Sequence, residues 1–203
     1  MTARSALLWT TTLAVALVAL PLRFSWLPRV IWNASASVPI GLYTMRPVGH
    51  VAVGDLVAVA PLDPLAVFLA ERGYLPLGVL LIKRVLALPG TEVCRTGLEI
   101  IAYDLSYGTA LAQDRLGRDL PSWQGCHVLA EGEVFLMNWD TPDSLDGRYF
   151  GPLPLSTITA QLSPLWTDEE GNGDFEWRAG APLSPANPAT DLSRKERPHA
   201  TDR

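Results

Sequence analysis

Residues 79–88 read VLLIKRVLAL, a long apolar run that a Pro-Gly pair closes, and this pattern predicts a strand. Side chains alternate between the two faces of a strand. Lys83 therefore shares its face with Leu81, Val85 and Ala87. Burying an ammonium there is costly, and desolvation lowers a lysine pKa. Lys83 is thus either a buried general base or an edge-strand lysine whose amine reaches water.

Almost all of the basic residues are arginines. Of 16 Lys and Arg residues only two are lysines, Lys83 and Lys195, and Lys195 lies in a polar stretch. Arginine stays charged, whereas a buried lysine can act as a base, so the position of Lys83 carries information. The net charge of −5 argues against a nucleic-acid partner, which would require a basic surface.

The other predicted elements are mostly short strands, which together predict a mainly β fold. They are a strand at Leu56–Val59, a helix at Leu65–Arg72 with Asp63 as N-cap, a hairpin of Cys126–Leu129 with Glu133–Met137, and a last strand at Ser156–Leu162.

Both ends of the chain differ from this β region. Ala6–Leu22 is an apolar run without charges, about long enough to cross a bilayer. We expect residues 1–29 to form one N-terminal transmembrane anchor; a cleavable signal or a buried helix are the alternatives. Residues 30–167 are then the folded domain. Residues 168–203 are rich in Gly, Pro, Asp and Glu and predict a disordered tail.

Two further segments could carry chemistry. NASASVPIGLY, residues 33–43, is an extended stretch of small residues that can present Ser37 without crowding, although most such stretches are linkers. A serine nucleophile needs a nearby base, and a lysine amine can serve. In residues 138–152, Ser144, Asp146 and Arg148 could form a buried hydrogen-bonded brace or simply belong to a polar loop.

In this order, the three segments resemble the S26 signal-peptidase family. Its pattern is a serine just past an anchor, a lysine in KRVLALPG, and a box of the S-x-D-x-R-Y-F-G type. The S-x-P-x-G-x-Y serine box, the AERGYL stretch (residues 70–75) and the Gly125-Cys126 pair look like its conjugative-transfer branch, TraF.

This resemblance implies a role for each matching residue. Ser37 corresponds to the nucleophile, Lys83 to the general base, and Ser35 to a hydroxyl that stabilises the oxyanion. Asp146 is implicated in activity, and the brace comprises Ser144, Asp146 and Arg148. Two departures from the family pattern are Gly147, where serine is common, and Asn138-Trp139-Asp140 in place of Gly-Asp-Asn.

The resemblance also implies a setting and a substrate. It implies a fold of coiled antiparallel sheets, and an inner-membrane enzyme with a periplasmic catalytic domain, in contact with membrane lipid and without metal or cofactor. It also implies an exported precursor that is cut next to small residues; the TraF branch implies a pilin, processed by hydrolysis or by cyclisation. In the periplasm Cys94 and Cys126 would form a disulfide; in the cytosol they would be free thiols. The alternatives are a general signal peptidase, a self-cleaving regulator of the LexA type, and a non-catalytic membrane-anchored β module.

Overall fold

The computed structural model describes residues 9–16 and 29–178. Residues 9–16 are helical (α1), followed by α2 (Leu65–Glu71), α3 (Gly147–Phe150) and a 3-10 turn at Leu155–Thr157. The strands are β1 (Arg29–Asn33), β2 (Ile40–Arg46), β3 (Leu56–Val59), β4 (Leu81–Ala87), β5 (Glu92–Thr96), β6 (Glu99–Ala102), β7 (Leu105–Thr109), β8 (Gly125–Val128), β9 (Glu133–Leu136), β10 (Leu153–Pro154), β11 (Ile158–Asp168) and β12 (Glu176–Trp177).

These strands form two antiparallel sheets, which confirms the predicted mainly β class. The main sheet has the order β1-β2-β11-β3-β4-β9-β10, with β12 paired to β11. The second sheet has the order β7-β6-β5-β8. It is inserted between β4 and β9, which are neighbours in the main sheet. Strand β4 therefore lies where the two sheets meet.

The apolar character of β4 is explained by burial on both faces. Every residue of the strand except Arg84 is buried. Leu81 and Val85 belong to one core cluster of the main sheet, Ile82 to another, and Leu86 belongs to the cluster shared with the second sheet. A strand covered on both sides is a near-continuous apolar run, as the sequence shows.

Three local predictions were wrong. Pro64 occupies the N-cap position of α2, and no side chain caps it, so Asp63 is not the cap. The segments predicted as a hairpin lie in different sheets: β8 pairs with β5, and β9 with β4 and β10. Residues 168–178, predicted to begin the disordered tail, are folded, because β12 pairs with the end of β11.

The C-terminal hairpin is held by aromatic packing that the composition of the tail obscured. Trp166 of β11 packs against Phe175 and Trp177, with ring centroids 4.7 and 6.1 Å apart. Asp168 is buried, and its carboxylate accepts hydrogen bonds from the backbone of Asn172 and Gly173. The rest of the predicted tail lies outside the described residues.

The predicted anchor, residues 1–29, also lies outside the described residues, apart from residues 9–16 and Arg29, which is the first residue of β1. Within the described ranges, no helix has both the length and the apolar character needed to cross a membrane.

A disulfide joins Cys94 of β5 to Cys126 of β8, residues that lie directly opposite each other in the second sheet. The bond closes a loop that contains β6 and β7, because the two cysteines are 32 residues apart in the sequence. The pairing expected for an oxidising compartment is therefore present.

Reduction of this disulfide should lower the free energy of unfolding. A cross-link across a loop of this length lowers the entropy of the unfolded chain, which stabilises the folded state by about 3–4 kcal/mol. Denaturant unfolding with and without reductant measures the difference. A Cys94→Ser/Cys126→Ser variant is the control, because its unfolding should not respond to reductant. Equal midpoints for the wild-type protein under both conditions would contradict a stabilising disulfide.

Candidate active site

The loop between β1 and β2 carries Ser35 and Ser37, and the buried Asn33 side chain organises it. Asn33 Oδ1 accepts hydrogen bonds from the backbone N–H and the hydroxyl of Ser35, at 3.1 and 3.0 Å. Its Nδ2 donates to the carbonyls of Ser35, Val38 and Pro39 at 2.7–3.1 Å. One amide thus closes the turn around Ser37.

The glycine and tyrosine of the serine box fix the other end of this loop. Gly41 has φ +149° and lies against β11, where a Cβ would come within 2.3 Å of the Trp166 carbonyl oxygen. Only glycine fits this approach. The buried Tyr43 hydroxyl donates to the Pro39 carbonyl at 2.6 Å. Burial, and then the nearby Glu169, raise the Tyr43 pKa, so it remains a donor.

The two serine hydroxyls of the loop lie together. Ser35 Oγ and Ser37 Oγ are 3.1 Å apart, with Ser35 exposed and Ser37 half-buried. The structure therefore brings together the predicted nucleophile and the predicted oxyanion hydroxyl.

Lys83 is buried in the middle of β4, opposite Val57 of β3, with 3% of its surface exposed. Its amine donates a hydrogen bond to Ser144 Oγ at 2.8 Å. Desolvation lowers the Lys83 pKa to about 8, against an opposing effect of Asp146 and a smaller supporting effect of Arg148. The edge-strand alternative is thereby excluded, and a neutral amine is accessible near neutral pH.

Among the described residues, no hydrogen bond joins Ser37 Oγ directly to Lys83 Nζ, since their partners are Ser35 and Ser144 respectively. In proteins without bound substrate, catalytic hydrogen bonds are often long and tighten only in the complex. The pairing of Ser37 with Lys83 is therefore part of the proposal below.

The predicted brace is a buried ion pair between Asp146 and Arg148. Arg148 Nε and Nη2 donate to the two carboxylate oxygens of Asp146 at 2.9 and 2.8 Å. Their side chains are 0% and 1% exposed. A bidentate pair of this kind is strong and geometrically specific.

The ion pair also folds the loop that leads to it. Arg148 donates to four backbone carbonyls of this loop, those of Asn138, Thr141, Pro142 and Ser144. Asp146 Oδ2 accepts the Asn138 N–H at 3.0 Å. The position of Ser144, and with it the partner of Lys83, thus depends on this pair.

Two residues without a role in the predictions from sequence contact the serine loop. Asn138 Nδ2 and Thr141 Oγ1 both donate to the Ser37 carbonyl, at 2.8 and 3.2 Å. They hold Ser37 against the brace loop across more than 100 residues of sequence. The one available signal was that Asn138 departs from the family pattern.

The second sheet supports the brace from behind. Arg95 of β5 is 2% exposed, and its Nη1 donates to the Arg148 carbonyl. Trp123 Nε1 donates to the Gly147 carbonyl at 3.0 Å. The disulfide-linked sheet is thereby connected to the site, and no sequence motif indicated these contacts.

One group of described side chains has the geometry of a metal cluster, namely Glu92, Cys94 and Cys126. Its two sulfurs are already joined to each other in the disulfide, whereas metal ligation requires thiolates.

The departure at Gly147 has a steric cause. A Cβ there would lie 2.7 Å from the Leu136 carbonyl oxygen and 2.9 Å from the Phe135 ring. Helix α3 therefore approaches β9 more closely than a serine would permit.

Gly147→Ser should lower the free energy of unfolding by about 1–3 kcal/mol, because overpacking forces the backbone apart. Gly49→Ser is the matched control, since the nearest atom to its added Cβ is the end of the Gln161 side chain at 3.6 Å. Denaturant unfolding of both variants measures the difference. Equal stability would show that α3 can move away at little cost.

Comparison with known proteins shows the family to which this chain belongs. The family model for signal peptidases, peptidase S26, matches residues 4–166. A plasmid transfer protein TraF from Escherichia coli is 35% identical over 146 residues, which cover 66% of this chain and 81% of the relative. The conjugal transfer protein TraF of Agrobacterium fabrum is 36% identical over the same shares.

A crystal structure of a signal peptidase I from Enterococcus faecalis aligns at 19% identity and a TM-score of 0.34, over 57% of this chain and 99% of the other. The family assignment rests on sequence, because the family model spans most of the chain and the TraF relatives exceed 30% identity. The resemblance to S26 is confirmed: this chain belongs to the S26 family of signal peptidases.

Proposed function

We propose that this chain is a Ser-Lys endopeptidase of conjugative transfer, in which Ser37 is the nucleophile and Lys83 the general base. The observation that carries the proposal is the state of Lys83. It is buried, no carboxylate within residues 29–178 accepts a hydrogen bond from it, its pKa is lowered to about 8, and its amine donates to Ser144. A lysine whose pKa lies near neutral pH is suited to accept a proton. This chain belongs to a family of peptidases in which such a base is needed.

The reaction proceeds by acyl transfer. Neutral Lys83 accepts the proton of Ser37 as Oγ attacks the scissile carbonyl, and the resulting ammonium protonates the leaving amine. Lys83 then takes a proton from the water that attacks the acyl-enzyme and returns it to Ser37 Oγ as the ester bond breaks, which restores both groups. Ser144 accepts one Nζ hydrogen throughout, which directs the lone pair of the amine.

Ser35 supports the oxyanion in this proposal. Its hydroxyl lies 3.1 Å from Ser37 Oγ, so it is adjacent to the atom that attacks. Rotation away from Asn33 Oδ1 lets it donate to the oxyanion together with the Ser37 N–H.

The biological setting is proposed from the relatives and the disulfide. The matched proteins are named for plasmid and conjugal transfer, which supports a role in conjugation. For this chain we propose an exported pilin precursor as the substrate. We place the catalytic domain in the periplasm, anchored to the inner membrane by residues 1–29 and close to its lipid. The Cys94–Cys126 bond is in keeping with this oxidising compartment.

Ser37→Ala and Lys83→Ala should each abolish cleavage of the precursor, because each removes a reacting group. Lys83→Arg should also be inactive, since arginine does not give up its proton. Circular dichroism checks that each variant is folded, and Lys195→Arg, at the other lysine of the chain, is the matched control. Substantial activity in a folded Lys83→Arg variant would refute the mechanism.

The pH dependence of kcat/KM should follow the titration of Lys83. Because only the neutral amine accepts a proton, activity should rise about tenfold per pH unit in acid and level off above pH about 8. If Lys83 had the ordinary lysine pKa of 10.5, kcat/KM would continue to rise beyond pH 10. A profile of that second kind would contradict a desolvated base.

Co-expression with a candidate pilin should yield a precursor cut next to small residues at the end of its hydrophobic segment. We expect hydrolysis, so intact-mass measurement should give the full linear mass. A product lighter by one water would instead show that the pilin's own amino terminus resolves the acyl-enzyme. Processing of ordinary secretory precursors, with the pilin left uncut, would replace the conjugative assignment with a general signal peptidase.

A further inference from the structure

The side-chain amide of Asn138 connects three backbone segments at the site. Its Nδ2 donates to the carbonyls of Ser37 and Ile82, at 2.8 and 3.2 Å. Its Oδ1 accepts the Arg84 N–H at 2.9 Å. Asn138 is 2% exposed, so water does not replace these bonds at no cost.

Two of these partners flank Lys83 on β4. Strand β9 ends at Leu136, and the Met137 N–H makes the last backbone bond of this pairing, to the Arg84 carbonyl at 2.9 Å. Beyond that point, the Asn138 amide binds the free N–H of Arg84 and the free carbonyl of Ile82. It therefore continues the sheet pairing along the part of β4 that carries Lys83.

The backbone of Asn138 is itself fixed by the brace. Its N–H donates to Asp146 Oδ2 at 3.0 Å, and its carbonyl accepts from Arg148 Nη2 at 3.4 Å. The ion pair thus fixes the backbone of Asn138, and the side-chain amide of Asn138 binds the serine loop and β4. One described side chain therefore bonds both to the Ser37 carbonyl and to the backbone of β4.

We propose that Asn138 is a positioning residue of the Ser37–Lys83 pair: it fixes the serine loop and the lysine strand at one separation and keeps them closed on each other. The inference rests on the proposed function only in that Ser37 and Lys83 are the reacting groups. Neither proton transfer nor substrate binding is assigned to Asn138 itself.

The kinetic test compares Asn138→Ala with Thr141→Val, which removes the other donor to the Ser37 carbonyl and leaves β4 untouched. For Asn138→Ala, kcat should fall on the order of 10²-fold, with KM changed by less than about twofold, since displacement of a reacting group affects the chemical step. Thr141→Val should lose only a few-fold. The double variant should be no worse than Asn138→Ala alone, because both bonds act on one carbonyl.

Two further variants separate positioning from stability. Ile100 lies on β6 and is fully buried, and Ile100→Val should lower stability without removing a hydrogen bond of Ser37, Lys83 or Asn138. Asn138→Leu keeps about the volume of the side chain, adds no charge and loses every hydrogen bond of the amide. If Asn138→Ala does not fold, Asn138→Leu should still show the loss of kcat. A kcat for the folded variant no lower than that of Ile100→Val would overturn the proposal.

A spectroscopic measurement decides the matter without activity. Because the chain has two lysines, carbon-13 labelling of lysine gives two sets of ε-methylene signals, one from Lys83 and one from Lys195. The charged groups that act on Lys83 are Asp146 and Arg148, which these variants retain. Opening of the serine loop in Asn138→Ala should admit water and raise the Lys83 pKa from about 8 toward 10.5.

The two measurements separate the two proposals. If wild-type protein cleaves no precursor or peptide, the proposed function fails, and the NMR titration still tests the positioning role. An unchanged Lys83 titration in Asn138→Ala would overturn it, whereas a raised Lys83 pKa would support it. If the wild type cleaves and Ser37→Ala does not, a normal kcat in both Asn138 variants overturns the positioning role alone.

Discussion

The arrangement of the site depends on the buried ion pair between Asp146 and Arg148. Its members are almost fully removed from water, and such a pair is rarely a net source of stability. What it supplies here is geometry, since the remaining donors of Arg148 bind successive carbonyls of one loop. That loop presents Ser144 to Lys83 and Asn138 to Ser37. Removal of either charge would leave the other buried and the loop without its scaffold.

The same physics explains why Lys83 can be tolerated inside the protein. A buried ammonium without a carboxylate in hydrogen-bond contact is unfavourable, and the lysine responds with a lowered pKa. Asp146 opposes this shift, but its charge is already satisfied by Arg148 and by the Asn138 N–H. The Asp146 carboxylate therefore lies near Lys83 but pairs with Arg148 and not with the lysine. Within the part of the chain that the structure describes, the hydrogen-bond partner of Lys83 is a neutral group, the Ser144 hydroxyl.

The sequence contained the site residues but not the way they are joined. The apolar run of β4 left Lys83 either buried or on an edge strand, and the resemblance to the S26 family, rather than composition, gave Ser37, Asp146 and Arg148 their roles. Strand partners depend on the whole topology, so β8 and β9 were wrongly paired as a hairpin. The polar composition after Trp166 hid a hairpin held by a few aromatic contacts. Asn138 and Thr141 act on a carbonyl about a hundred residues away, which no local pattern can indicate.

The two departures from the family pattern lie at opposite ends of the brace loop, and both concern the end of β9. Gly147 lets α3 approach the Leu136 carbonyl, and Asn138 begins where the backbone pairing of β9 stops. A close α3 brings the Asp146 carboxylate to the Asn138 N–H, and this contact orients the amide toward β4. A residue with a Cβ at position 147 would push α3 away from β9 and loosen that contact. Gly147 and Asn138 are therefore coupled. Close packing of α3 at Gly147 supports the contacts that Asn138 makes with Ser37 and β4 at the other end of the loop.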